Sequence, residues 1–242
     1  MFGRGVAGVI NVGTSNENSR ICVEMAARYP HMYAAVGLHP EDVQFGDGAL
    51  EEELASLRDL LGTSETRKRD KIVALGEIGL DYHVEDPDKE RQAAFFEAQL
   101  CLAEELDMPV IIHDREAHGD CFETVLRHPN VRGVFHSFSG SMEMARELVR
   151  RGWYISFSGV LTFKNARKTL EVAESIPYDR ILVETDAPYL APVPFRGRIN
   201  QSGLVCYTIA RLAELVGLSY EETVTLTARN ARTLFRIDEE KA

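Results

Sequence analysis

Short, nearly continuous apolar runs alternate with longer amphipathic stretches along the whole chain, and this rhythm limits the possible folds more than any other feature. The runs lie at 6–12, 32–38, 72–78, 109–112, 131–135, 153–157 and 181–184. They are rich in Val, Ile and Ala and do not alternate with polar residues, which suits parallel strands covered on both faces. The stretches between them carry helical spacing, at 16–29, 50–61, 86–106, 121–126, 142–151, 166–174, 204–216 and 220–235. Pro30 ends the first. Asp86 is expected to cap the third, with Pro87 in its first turn, and Phe95, Phe96, Leu100 and Leu102 as its apolar stripe. Ser219 and Glu222 have the spacing of a capping box for the last. The polar stretch 63–70 (TSETRKRD) is expected to be a surface loop.

Strands alternating with helices indicate parallel βαβ units and an α/β fold. With no internal linker, low-complexity tract or short repeat, residues 1–242 read as one domain. About seven strands are seen, one short of a (β/α)8 TIM-type barrel, so a doubly wound sheet competes with a barrel lacking its first strand. The polar residues favour the barrel. His39 (GLHP), Glu77 (ALGEIGLDY), His113 (VIIHD), His136 (GVFHSFSG) and Asp186 (LVETDAPYL) all stand at C-terminal ends of apolar runs. In a parallel barrel those ends open on one face, which carries the active site; an open sheet would spread them along a line.

The net charge of −11 opposes broad phosphate neutralisation of a duplex. It leaves room for an enzyme that grips one phosphate through bound cations. Cys22, Cys101, Cys121 and Cys206 lack the C-x-x-C pair of a zinc site and read as free thiols of a reducing compartment. No apolar run approaches the roughly 20 residues that span a bilayer, and the first residues carry no signal-peptide core. A cytoplasmic monomer with no membrane partner is expected.

Glu77, His113, His136 and Asp186 are the candidate metal ligands. A carboxylate within an apolar run such as 72–78 costs several kcal/mol unless paired or metal-bound, which makes Glu77 the most informative of them. Any one histidine could be structural, and Asp186 before Ala-Pro could shape a turn. A mixed His and carboxylate set suits zinc, manganese or magnesium without choosing among them, with one or two ions per chain. Such an ion lowers the pKa of bound water to about 7, and Asp186 is placed to act as general base. Arg196 and Arg198, on the segment after the Asp186 run, match phosphate oxygens or are simply solvated. His31, His83, His118 and His128 read as surface or capping residues and Trp153 as core. Tyr82 and Tyr189 either line the pocket or pack beneath loops.

The stretches VINVGT, YAAVGLHP, ALGEIGLDYH, VIIHDREAH, GVFHSFSG, LVETDAPYLAPVPFRGRIN and NARTLF, in this order, resemble the TatD-like family of metal-dependent deoxyribonucleases within the amidohydrolase-like barrels. The resemblance covers essentially the whole chain. It implies a two-metal site in which Glu77 bridges both ions, His113 and His136 complete one shell, and Asp186 serves the other while positioning the attacking water. His39 would contact the scissile phosphate. The implied activity is magnesium- or manganese-dependent cleavage of DNA ends or single strands, of the 3′–5′ exonuclease type. Other members act as esterases or deacylases, which keeps a carboxylic ester substrate open, as does a metal-binding protein without activity. The family's first strand carries a His-x-His motif that is absent here, so two private ligands of one ion are missing. An upstream start restoring that strand is expected, with a gapped barrel as the alternative. Gln201 and Ser202 also stand where the family usually has Glu-Pro.

Overall fold

Each of the seven apolar runs forms a strand. The computed structural model describes residues 6–238, in two units, residues 7–133 and Val6 with residues 134–238. In the first, β1 (Val9–Val12), β2 (Met32–Val36), β3 (Ile72–Asp81) and β4 (Val110–Arg115) pair in parallel in chain order. The helices between and after them are α1 (Asn16–Arg28), α2 (Pro40–Phe45), α3 (Leu50–Leu61), α4 (Ser64–Asp70), α5 (Lys89–Glu105) and α6 (His118–Leu126). Ala34, Val36, Leu75, Ile78 and Ile112 are fully buried, as nearly continuous apolar strands require. The β3–β4 register shifts between Leu75 and Ile78, a bulge that changes the aim of the side chains within it, Glu77 among them.

In the second unit β5 (Gly133–Phe135), β6 (Tyr154–Phe157) and β7 (Ile181–Val183) are likewise parallel. They are accompanied by α7 (Met142–Arg150), α8 (Arg167–Ser175), α9 (Val205–Val216) and α10 (Tyr220–Phe235). Trp153 is core as expected, its ring edge-on to Phe135 at 5.4 Å. The Ser219–Glu222 capping box of α10 forms as its spacing predicts.

Three local expectations are corrected. The 63–70 stretch is helix α4. The Thr63 side chain accepts the Thr66 N–H and Lys71 closes the helix in the left-handed conformation, and neither device leaves an apolar period to read. The cap of α5 is Asp88, whose carboxylate accepts the Arg91 N–H at 2.9 Å, whereas Asp86 has a positive φ of 49° outside the helix. His128 is buried, 3.0 Å from Glu97, and is not a surface residue. All four cysteines are free thiols. Among the described residues no single helix is long and apolar enough to cross a membrane.

Candidate metal centre

The C-terminal halves of β3 and β4 and the segment just after β2 bring Glu77, His113 and His39 together, one donor atom from each lying within 4.8 Å of the others. Glycines permit this approach. A side chain at Gly76 would put its Cβ 2.7 Å from that of Ile111. Gly79 combines a φ of +147° with a site where a Cβ would lie 2.0 Å from the His113 carbonyl oxygen, so no other residue fits there.

Helix α5 fixes the strand ends from outside. Gln92 and Gln99 are two turns apart on one helix face, and both are fully buried. Gln99 accepts the Leu38 N–H at 2.8 Å and donates to the Leu38 carbonyl at 3.1 Å, holding the backbone next to His39. Gln92 makes the same pair of bonds with Asp81, each 2.9 Å long.

His113 lies between two carboxylates. Its Nδ1 is 2.7 Å from Glu77 Oε1 and its Nε2 2.9 Å from Asp81 Oδ2. A neutral imidazole donates to only one of these. Asp81 is buried and its Oδ1 accepts the His83 N–H at 2.8 Å, which makes it a fixed anchor for the Nε2 hydrogen. Burial pushes the Asp81 carboxyl up, and the hydrogen bonds from His113 and the His83 amide outweigh it and hold the group below its ordinary value. With Asp81 holding Nε2, the Nδ1 lone pair faces Glu77, the arrangement in which a histidine shares a cation with a carboxylate while donating its other N–H to a second carboxylate.

His39 differs. Its Nδ1 accepts the Glu41 N–H at 3.2 Å, capping α2, so in the neutral ring the hydrogen is on Nε2. That atom is 3.6 Å from Glu77 Oε1. His39 is therefore a hydrogen-bond donor at the rim of the group and a poor metal ligand.

The second unit holds the other candidates. His136 Nδ1 is 3.1 Å from Glu184 Oε1, again a histidine with a carboxylate on one nitrogen. Asp186 stands two residues beyond Glu184 at a φ of +59°, a conformation aspartate tolerates better than most residues, and its carbonyl accepts the Tyr189 N–H at 2.8 Å. Buried Asn200 donates to the carbonyls of Thr185 at 2.7 Å and Tyr189 at 2.6 Å, tying down the loop that follows. On that loop Arg196 stacks 3.7 Å from the Phe163 ring centre and Arg198 lies 6.0 Å from that of Phe195.

Two participants escape the sequence reading, Asp81 and Glu184. Asp81 is four residues after Glu77 on β3, where the two-residue strand period gives it the same face, but its place past the apolar run made it look like the start of a turn. Glu184 and Asp186 lie beyond the end of β7, where no strand period applies.

Comparison with known proteins identifies the family and the fold. The family described as TatD related DNase matches residues 1–236. The chain is 41% identical over 233 residues to YabD of Bacillus subtilis, named an uncharacterized metal-dependent hydrolase, covering 95% of this chain and 88% of that one. It is 38% identical over 225 residues to YcfH of Escherichia coli, which bears the same description, covering 90% of this chain and 84% of that one. Among solved structures, YjjV, a TatD homologue of E. coli, superposes with a TM-score of 0.89 at 34% identity, over 97% of this chain and 88% of that one. The fold of this chain is thus the parallel α/β, TIM-type barrel class expected from the sequence.

Proposed function

This chain belongs to the TatD-related DNase family, and from that membership we propose that the metal-dependent hydrolysis it performs is cleavage of phosphodiester bonds at the ends of single-stranded DNA. Glu77, His113, His136 and Asp186 are the proposed ligands, for magnesium, manganese or zinc. The donor set supports this, because His113 and Glu77 offer adjacent nitrogen and oxygen donors at 2.7 Å with Asp81 behind the histidine. When bound, the cation activates water and polarises the phosphoryl group.

The chain's own residues supply the rest. Asp186 accepts the proton of the attacking water. His39 donates from Nε2, beside Glu77, to a phosphoryl oxygen. Arg196 and Arg198 offer guanidinium donors to neighbouring phosphates.

The observation that carries this reading is the Glu77–His113 pair with His39 beside it, two candidate ligands and one N–H donor at a single spot. The test is metal-dependent release of nucleotides from single-stranded DNA, beside a panel of chromogenic phosphodiesters and carboxylic esters. Release that stops in EDTA and in the Glu77→Gln variant is expected, with that variant also losing bound metal by direct metal count. Hydrolysis of carboxylic esters alone would replace the nuclease reading with the esterase one.

A further inference from the structure

Two segments of the second unit that touch one another form a cationic, aromatic surface in an otherwise acidic chain. Residues 159–170 carry Lys164, Arg167 and Lys168, and residues 187–204 carry Arg196 and Arg198; neither stretch has an acidic residue. They meet through the Val193 N–H, which donates to Thr162 Oγ1 at 2.9 Å, and through Arg196 stacked on Phe163. The acidic residues that adjoin these stretches in sequence are Asp186, at the proposed centre, and Glu171, paired with Arg167 at 2.9 Å.

On this surface Tyr189 is 71% exposed and Ile199 80% exposed. Their backbones are held side by side, since Asn200 N–H donates to the Pro188 carbonyl at 3.0 Å and the Asn200 side chain to the Tyr189 carbonyl. Large apolar side chains gain nothing from such exposure when the chain is alone. The loop bearing them is not slack, because Asn200 brackets its start and end and turns at Phe195 and Arg198 close within it. An exposed aromatic ring on a braced loop that also carries two guanidinium groups suits an unpaired base and its phosphates.

We propose that Tyr189, backed by Ile199, is a stacking platform for an unpaired base of the substrate strand, and that Arg196 and Arg198 hold the phosphates next to it. This rests on the single-stranded DNA reading above and extends it to a subsite three residues from Asp186. It makes the enzyme select strand ends by an open base face rather than by base sequence.

The test uses the metal-loaded protein and a single-stranded oligonucleotide with 2-aminopurine at its end and phosphorothioate linkages that slow hydrolysis. Wild type and Tyr189→Phe should quench the 2-aminopurine with equal affinity. Tyr189→Ala should bind roughly tenfold more weakly, the loss of one stacked base. Each of Arg196→Gln and Arg198→Gln should lower the slope of log affinity against log salt by about 0.7. Thermal melts identify variants that do not fold, and Ile199→Ala is a second, milder probe of the face, with weaker quenching expected. Equal affinity and quenching in wild type, Tyr189→Ala and Ile199→Ala overturn the platform while leaving nuclease activity of the wild type intact. A wild type that releases no nucleotide from unmodified DNA overturns the nuclease reading, and this substrate subsite falls with it.

Discussion

Asp81 is where a single side chain decides most. Replacing it with Asn preserves shape and the bond from the His83 amide but removes the charge that holds His113 Nε2. Metal affinity of Asp81→Asn is expected to fall about 10- to 100-fold, the usual effect of removing a carboxylate behind a ligating histidine. Calorimetric titration with Mn²⁺ checks it, and unchanged affinity would show that Asp81 is a packing residue only. The sequence made Glu77, His113 and His39 conspicuous because each is a polar residue ending an apolar run. Asp81 was hidden by its place just past that run, where a terminal aspartate looks like the start of a turn. The roles of the two histidines were not legible at all, since they depend on which ring nitrogen the Glu41 amide or the Asp81 carboxylate occupies.

At the scale of elements, α5 is a frame for two strand ends. Gln92→Leu leaves the buried N–H and carbonyl of Asp81 without partners, and a loss of about 1–3 kcal/mol per group follows. Denaturant unfolding measures it; a loss under about 0.5 kcal/mol would mean that the clamp is dispensable. The same helix meets the segment just after α6 through Glu97, which lies 2.7 Å from Arg127 and 3.0 Å from His128. Burial raises the Glu97 carboxyl, and the bonds from Arg127 and His128 outweigh that and hold it below its ordinary value. A depressed carboxyl stabilises the fold above its unfolded-state pKa and loses that contribution as pH falls through the folded one. The midpoint difference between wild type and Glu97→Gln should therefore shrink from neutral pH to about pH 3. A difference that stays constant would remove the pair from the stability of the helices. Strands and long helices were legible from periodicity. Helix α4 was not, because a short helix held by Thr63 and Lys71 has no buried stripe.

For the whole molecule, the alternation of runs and helical stretches was enough to anticipate the parallel α/β class that the likeness to YjjV bears out. Chain order could not by itself separate a barrel from an open sheet; the polar residues ending the apolar runs favoured the barrel, and the likeness to YjjV bears it out. A cation that binds the native state alone raises the free energy of unfolding by about 2.7 kcal/mol at a hundredfold excess over its dissociation constant. Protein stripped with EDTA should thus melt several degrees lower than protein with Mn²⁺ or Zn²⁺, and identical melting curves would argue against a shared centre.

The His39 ring closes the first turn of α2 with one nitrogen while the other faces Glu77. The Glu41 amide is thereby a built-in reporter. Its proton resonance and exchange rate follow the electronic state of the imidazole, so the arrival of an anion at the far nitrogen can be watched from a backbone signal that never touches it.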